Sequence, residues 1–432
     1  MARGLKNFLM DKLNVNVNSE IGELEEVILH SPGSEVENMT PENAERALYS
    51  DILNLSVASR EYFELKEVLN KVTRTHEISQ LLAETLKNNT SKEALIRNIC
   101  DHEEAADELD TLLNMPPDIL ARQLIEGVVL KRDNLTRFLS NERYAMRPLH
   151  NLFFTRDSAI SFWNDVLIGK MASKVRERES LIMETIFRDH PIFSVNTINP
   201  ERVAGGRNAF RNATIEGGDV EIANENVILI GSGARTSTEG IDLLTEIIRD
   251  KKEGTKHLIV QELPRTPESF IHLDMTFTFL DRNACMVYEP LILKKTKYHT
   301  INITIDNGRV TSIKEETSLL KALEKCGMEL TPINCGGHGD PWIMEREQWH
   351  SGANFFAIAP GKVIGYERNE KTLEEMNRNG FEILKAMDII EGRVSIDDYQ
   401  RAVITIAGSE LARGGGGARC MTMPVKRKDV TW

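Results

Sequence analysis

The chain has 432 residues, of which 28% are charged and 41% belong to the hydrophobic set, a balance that excludes an intrinsically disordered protein. At about 150 residues per domain this length predicts roughly three domains, with ample chain for a core that needs no disulfide or metal staple. Lys plus Arg number 53 against 66 Asp plus Glu, a formal charge of −13, which argues against nucleic acid or an anionic membrane as partner. Nowhere do 18 apolar residues run together, and Met1 to Val17 lacks a continuous apolar segment, so neither a membrane span nor a signal peptide is expected. The five cysteines (Cys100, Cys285, Cys326, Cys335, Cys420) are scattered and form no metal-ligand spacing. They fit free thiols in a reducing compartment and a cytoplasmic location.

In chain order, the first strand signal is Leu24 to His30, ended by Ser31-Pro32-Gly33. Thr40-Pro41 reads as an N-cap with proline at the first helical position, opening a helix from Glu42. From Val57 to about Leu139 the apolar spacing is helical, broken at Asn89-Thr90-Ser91 and Met115-Pro116-Pro117-Asp118, which predicts an all-helical insertion at 57–140. A repeat follows. Ala159–Trp163 and Val166–Lys170 read as a hairpin followed by a helix over Val175–Arg188. The order recurs with Asp219–Ala223, Val227–Ile230 and Thr238–Arg249, and again with Phe355–Ile358, Val363–Tyr366 and Thr372–Asn379. Met275–Leu280 and Ala284–Tyr288 supply a fourth hairpin, and the recurrence points to pseudo-symmetric α/β units rather than a doubly wound sheet.

Polar groups cluster where strand patterns would favour apolar ones. His272 and Asp274 stand two apart in a segment that reads as extended, so both side chains are expected on one face. Glu216-Gly-Gly-Asp219 places two carboxylates around glycines that permit positive φ or close backbone approach, although an ordinary turn explains the motif equally well. Asp157 closes a Phe-Thr-Arg-Asp run that is also a common surface pattern. Gly414 to Gly417, followed by Ala-Arg-Cys420, is the strongest single feature, with Arg419 expected to favour the Cys420 thiolate. One cysteine, one histidine and up to four carboxylates exceed what a cysteine protease needs. They suit a cationic substrate, guanidinium above all, held by carboxylates while a thiolate attacks its carbon.

In these segments the sequence resembles the arginine deiminases, members of the guanidino-group-modifying superfamily. The matching stretches are Leu-Glu-Glu-Val-Ile-Leu-His-Ser-Pro-Gly33, the Phe-Thr-Arg-Asp157 run, Glu216-Gly-Gly-Asp219, Gly-Ala-Arg-Thr236, His272-Leu-Asp274, Asn334-Cys-Gly-Gly, Asn354 to Gly361 and Arg419-Cys-Met-Thr-Met-Pro424. The resemblance runs from about residue 20 to Trp432. It implies a five-unit α/β propeller with the helical insertion, acting as a homo-oligomer (dimer or tetramer) that hydrolyses L-arginine to L-citrulline and ammonia without metal or cofactor. By motif position it implies Cys420 as nucleophile, His272 as general acid and then base, Asp157 and Asp274 gripping the guanidinium, and Glu216 contacting guanidinium and orienting His272. It assigns Arg176 and Arg235, with Asn151, to the substrate carboxylate, and Asp219 to support. The family's loop arginine, five residues before the cysteine, is replaced here by Gly415, and Arg419 is the favoured substitute over Arg413. Enzymes of agmatine or methylarginine, or a non-catalytic arginine-binding protein, are the alternatives. The missing carboxylate of agmatine and the intact Cys420–His272 set weigh against them.

Overall fold

Short apolar runs of β-branched residues prefer a pleated surface, and Leu24–Leu29 forms a strand that becomes the centre of a three-stranded sheet. It runs parallel to Arg74–Glu77 and antiparallel to Met423–Arg427, so the two ends of the chain meet in one sheet. The computed structural model describes residues 12–40, 51–205 and 210–432. The helix expected from Glu42 lies outside the described residues.

The helical stretch forms as Leu55–Val72, Ile78–Thr85, Asn89–His102, Leu109–Leu113, Pro117–Glu126 and Leu135–Leu139. The break expected at Asn89 falls just before it. Asn88 caps the helix, its side chain accepting from the amides of Thr90 and Ser91. Pro117 takes the first helical turn, where a missing N–H costs nothing. Two strands interrupt the stretch, Arg74–Glu77 and Val128–Val129. Arg-Thr-His-Glu has no apolar alternation to announce it, and it pairs because the Leu24–Leu29 edge is open to it, with His76 Nε2 at 2.6 Å from Glu26 Oε2. The helices bury Leu82, Ile96 and Leu124 against Ile182 and Ile186, each side chain contributing about 1.5–3 kcal/mol.

All four hairpins form, and each is completed in the same way. Ala159–Phe162 and Asp165–Ile168 are antiparallel, and Asn196–Ile198 returns parallel to the second after the helix Glu177–Asp189. Val220–Asn224 and Val227–Ser232 are followed by the parallel strand Thr255–Glu262. Phe277–Asp281 and Ala284–Val287 are followed by Thr331–Asn334, and Phe356–Ala359 and Lys362–Tyr366 by Ala402–Ile406. The sheet joining the chain ends repeats the pattern: Met423–Arg427 antiparallel to Leu24–Leu29, then helix Leu55–Val72, then Arg74–Glu77 in parallel. The fold is α/β, and this recurrence positions the site.

Candidate active site

The segment before the first strand of each unit delivers a polar side chain to one buried region. Asp157 precedes Ala159–Phe162, Glu216 and Asp219 precede Val220–Asn224, and His272 and Asp274 precede Phe277–Asp281. Asn354 precedes Phe356–Ala359, and Cys420 precedes Met423–Arg427. All seven are buried. A cavity of about 260 Å³ opens on Cys420, His272, Asp157, Asn151, Arg176 and Arg235.

His272 sits among carboxylates. Its Nε2 lies 3.0 Å from Glu216 Oε2 and its Nδ1 3.7 Å from Asp157 Oδ1. Burial alone would lower its pKa, but the charges of Asp157, Glu216 and Asp219 outweigh that and push it up to about 9, so the ring is an imidazolium at neutral pH. The cation in turn holds the Asp157 and Glu216 carboxyls below the usual range against their own desolvation. Asp157, Glu216 and His272 offer ligand-type atoms within 4.8 Å of one another, the spacing a metal ion could use. The proton on His272 offsets one of the two carboxylates, and Arg176 pairs with the Asp157 carboxylate at 2.7 Å.

The structure changes several expectations. His272 to Met275 is not extended: Leu273–Met275 forms a single 3-10 turn, and the two side chains reach neighbouring parts of the site from it. The Glu216-Gly-Gly-Asp219 glycines have no positive φ. A Cβ on Gly217 would lie 1.9 Å from the Arg156 carbonyl, and one on Gly218 would lie 2.4 Å from His272 Nδ1, so the pair serves close packing. Both Glu216 oxygens are engaged, Oε1 accepting from the Ala172 amide at 2.9 Å and Oε2 lying 3.0 Å from His272 Nε2. Asp219, burial-shifted up to about 7, accepts from the Leu273 amide at 2.9 Å and supports the His272 turn rather than touching the cavity.

Arg419 lies away from the cavity lining. It is 1% exposed, its guanidinium bonded to Glu20, to Asp274 Oδ2 at 2.9 Å and to the Val220 carbonyl. Burial, with Asp274 and Asp157 nearby, pushes the Cys420 thiol well above its ordinary pKa despite Arg419. Cys420 Sγ lies 3.6 Å from Asp274 Oδ2. Of Arg413 and Arg419, Arg413 lines the cavity, paired with Asp51 and Glu410. Gly415 adopts φ +82°, which disfavours a side chain at the family's arginine position. Arg176 also lines the cavity, but its guanidinium is committed to Asp157 at 2.7 Å and to Glu179 at 2.8 Å. Arg235 is half-buried and, among the described residues, has no ion-pair partner.

Because the Gly218 Cα faces the His272 ring, Gly218→Ala is expected to displace the imidazole and lower kcat about 100-fold or more. Steady-state kinetics beside a melting curve check this, and a variant with near-native kcat would contradict it.

A buried cysteine, a histidine and carboxylates at the entrances of repeated α/β units define a cysteine-dependent class of site. The fold is similar to that of SxtG, an amidinotransferase of saxitoxin biosynthesis from Microseira wollei, with a TM-score of 0.52 and 14% identity over 96% of this chain and 98% of that one. Residues 45–427 match the family model described as arginine deiminase. The chain is 33% identical to an arginine deiminase of Bacillus cereus (strain B4264), covering 96% of this chain and 99% of that one. It is 32% identical to one of Listeria monocytogenes serovar 1/2a, covering 96% and 98%. The chain belongs to the arginine deiminase family, and it is an enzyme that converts L-arginine to L-citrulline and ammonia.

Proposed function

We propose that this hydrolysis runs through a covalent amidino adduct on Cys420. The observation that carries the reading is the placing of the Cys420 thiol against Asp274, on a cavity shared with Asp157 and the His272 imidazolium. The guanidinium enters between Asp157 and Asp274. Its positive charge offsets the two carboxylates that hold the thiol neutral, the thiol proton leaves to solvent, and Sγ attacks the guanidinium carbon. The tetrahedral adduct breaks its C–N bond as His272 donates a proton to the departing nitrogen, releasing ammonia and leaving a thiouronium. Neutral His272 then takes a proton from water, the hydroxide adds to the same carbon, and the C–S bond breaks as the added hydroxyl gives up its proton to solvent, yielding citrulline and thiolate. Acid-quenching a reaction within one turnover and weighing the Cys420 peptide tests this. An adduct on any other residue, or turnover by Cys420→Ser, would refute it.

At the far end of the substrate, Arg235 is the cation available to the carboxylate, while Arg176 fixes Asp157. Arg235→Gln is expected to raise KM for L-arginine about 10- to 100-fold, the worth of one charge-assisted hydrogen bond of roughly 1.5–3 kcal/mol. Activity on agmatine, which has no carboxylate, should stay unchanged. Equal losses on both substrates would rule out this role.

The architecture that supports this reading is a five-unit propeller closed by the sheet shared between the chain ends; of the stretch 57–140 read as an insertion, helix Leu55–Val72 and strand Arg74–Glu77 complete the fifth unit, and the helices from Ile78 to Leu139 form the insertion. Leu135, Phe138 and Leu139, 72%, 63% and 68% exposed on one face of a helix of that insertion, support self-association into a homo-oligomer. Light scattering that returned a monomer mass would remove that part. No helix among the described residues is long and apolar enough to cross a membrane, in keeping with a cytoplasmic enzyme.

A further inference from the structure

Four of the five unit entrances deliver residues already used in the reaction. The fifth delivers Asn354, whose carboxamide is enclosed beside the nucleophile at 1% exposure. Its Oδ1 accepts from the amide of Arg419 at 2.9 Å and from that of Cys420 at 3.4 Å. Two backbone donors at the oxygen settle which way the amide points, so Nδ2 faces the other side. There it donates to the Asp274 carbonyl at 3.1 Å and to Cys420 Sγ at 3.2 Å. Gly417 makes room for it, since a Cβ there would lie 2.6 Å from Asn354 Oδ1. The sulfur therefore has one donor, Asn354, and one acceptor, the Asp274 carboxylate.

From this arrangement we propose that Asn354 is a catalytic residue, whose side-chain N–H holds the Cys420 sulfur in line and stabilises it as a thiolate. The contact is differential. A neutral thiol is a weak acceptor, whereas the thiolate accepts a charge-assisted hydrogen bond. The sulfur is an anion twice in the cycle, when it attacks the guanidinium carbon and when it leaves the thiouronium. Asn354 thus assists both half-reactions through sulfur, as His272 does through nitrogen and water. The donor is preorganised, its oxygen being anchored by the consecutive backbone amides of Arg419 and Cys420.

The inference rests on Cys420 being the nucleophile, so the experiment separates the two. In the full chain, Asn354→Ala and Asn354→Asp are compared with wild type and Cys420→Ser. Asn354→Asp keeps an oxygen for the two backbone donors and removes the donor to sulfur, so it carries the test if the alanine variant fails to fold. Both are expected to lower kcat about 100-fold, the usual cost of one preorganised donor, with KM within about two-fold. The pH midpoint for alkylation of Cys420 by iodoacetamide should move up by about one unit, a readout that a merely structural role would leave in place. Folded variants with a wild-type kcat or an unmoved alkylation midpoint overturn the proposal, while an inactive Cys420→Ser leaves the nucleophile standing. An active Cys420→Ser overturns both.

Discussion

His272→Ala is expected to abolish citrulline formation, lowering kcat by about 10⁴-fold, because general acid and general base are lost together. The magnitude follows from the two uses of one imidazole. Without its proton the leaving nitrogen departs as an amide anion, and without its lone pair the thiouronium meets an unactivated water. No ammonia should be released even in a single turnover, so the loss belongs to the first half-reaction as well as the second. The wild-type pH profile gives a second measurement. With the His272 pKa at about 9, kcat should fall as pH rises through that value, and the alanine variant should lack the transition. The same shift predicts stability. The pKa rises from 6.5 in the unfolded chain to about 9 in the fold, so the contribution of the imidazolium is fully present below 6.5 and is lost as pH climbs through about 9. Melting temperatures across pH 6 to 10 check this. A wild-type melting curve as flat as that of His272→Ala over that window would contradict the charge assignment, and a variant of full activity would remove His272 from the reaction.

The hairpins of the units were legible because their strands are short apolar runs ended by turn residues, Asn164 and Asn283 among them. The strands on either side of Leu24–Leu29, Met423–Arg427 and Arg74–Glu77, carry no such message: a pairing such as that of Met423–Arg427, across nearly the whole chain, is decided by tertiary closure, not by local pattern. Thr300–Asp306 and Arg309–Glu316 went unread although the signal is there, in alternating Ile301, Ile303 and Ile305 and in the turn at Asn307-Gly308. Within the site, the motifs announced Cys420, His272 and the carboxylates as residue types. What they could not announce was pairing. Arg176 and Asp157 are nineteen positions apart in sequence, and only the fold makes them a 2.7 Å ion pair. Arg419 looks like a cation poised beside a thiol until Glu20 and Asp274, both far away in the chain, absorb its charge. Asn354 carries no formal charge, and an asparagine before an apolar strand reads as a turn residue; its place at a unit entrance, at the head of the matching stretch Asn354 to Gly361, was the sequence signal that could have found it.

Asp274→Asn is expected to pull reactivity and turnover in opposite directions. After burial, the Asp274 carboxylate is the largest influence holding the Cys420 thiol protonated. Neutralising it leaves the sulfur beside an amide and a less compensated Arg419, so alkylation by iodoacetamide should become faster at neutral pH and its midpoint should move down. Turnover of L-arginine should nevertheless fall about 1,000-fold, because the guanidinium loses one of two anions that fix its carbon against Sγ, and an unpaired buried charge costs about 3–5 kcal/mol. A nucleophile that is more reactive toward a neutral reagent and less productive toward a cation is the signature of activation by the substrate's own charge. Asp157→Asn, which leaves Arg176 its contact with Glu179, should show the same pair of shifts to a smaller degree in alkylation. If alkylation slows in both variants, the carboxylates are stabilising the thiolate rather than suppressing it. In that case the proton would have to leave Cys420 before arginine arrives.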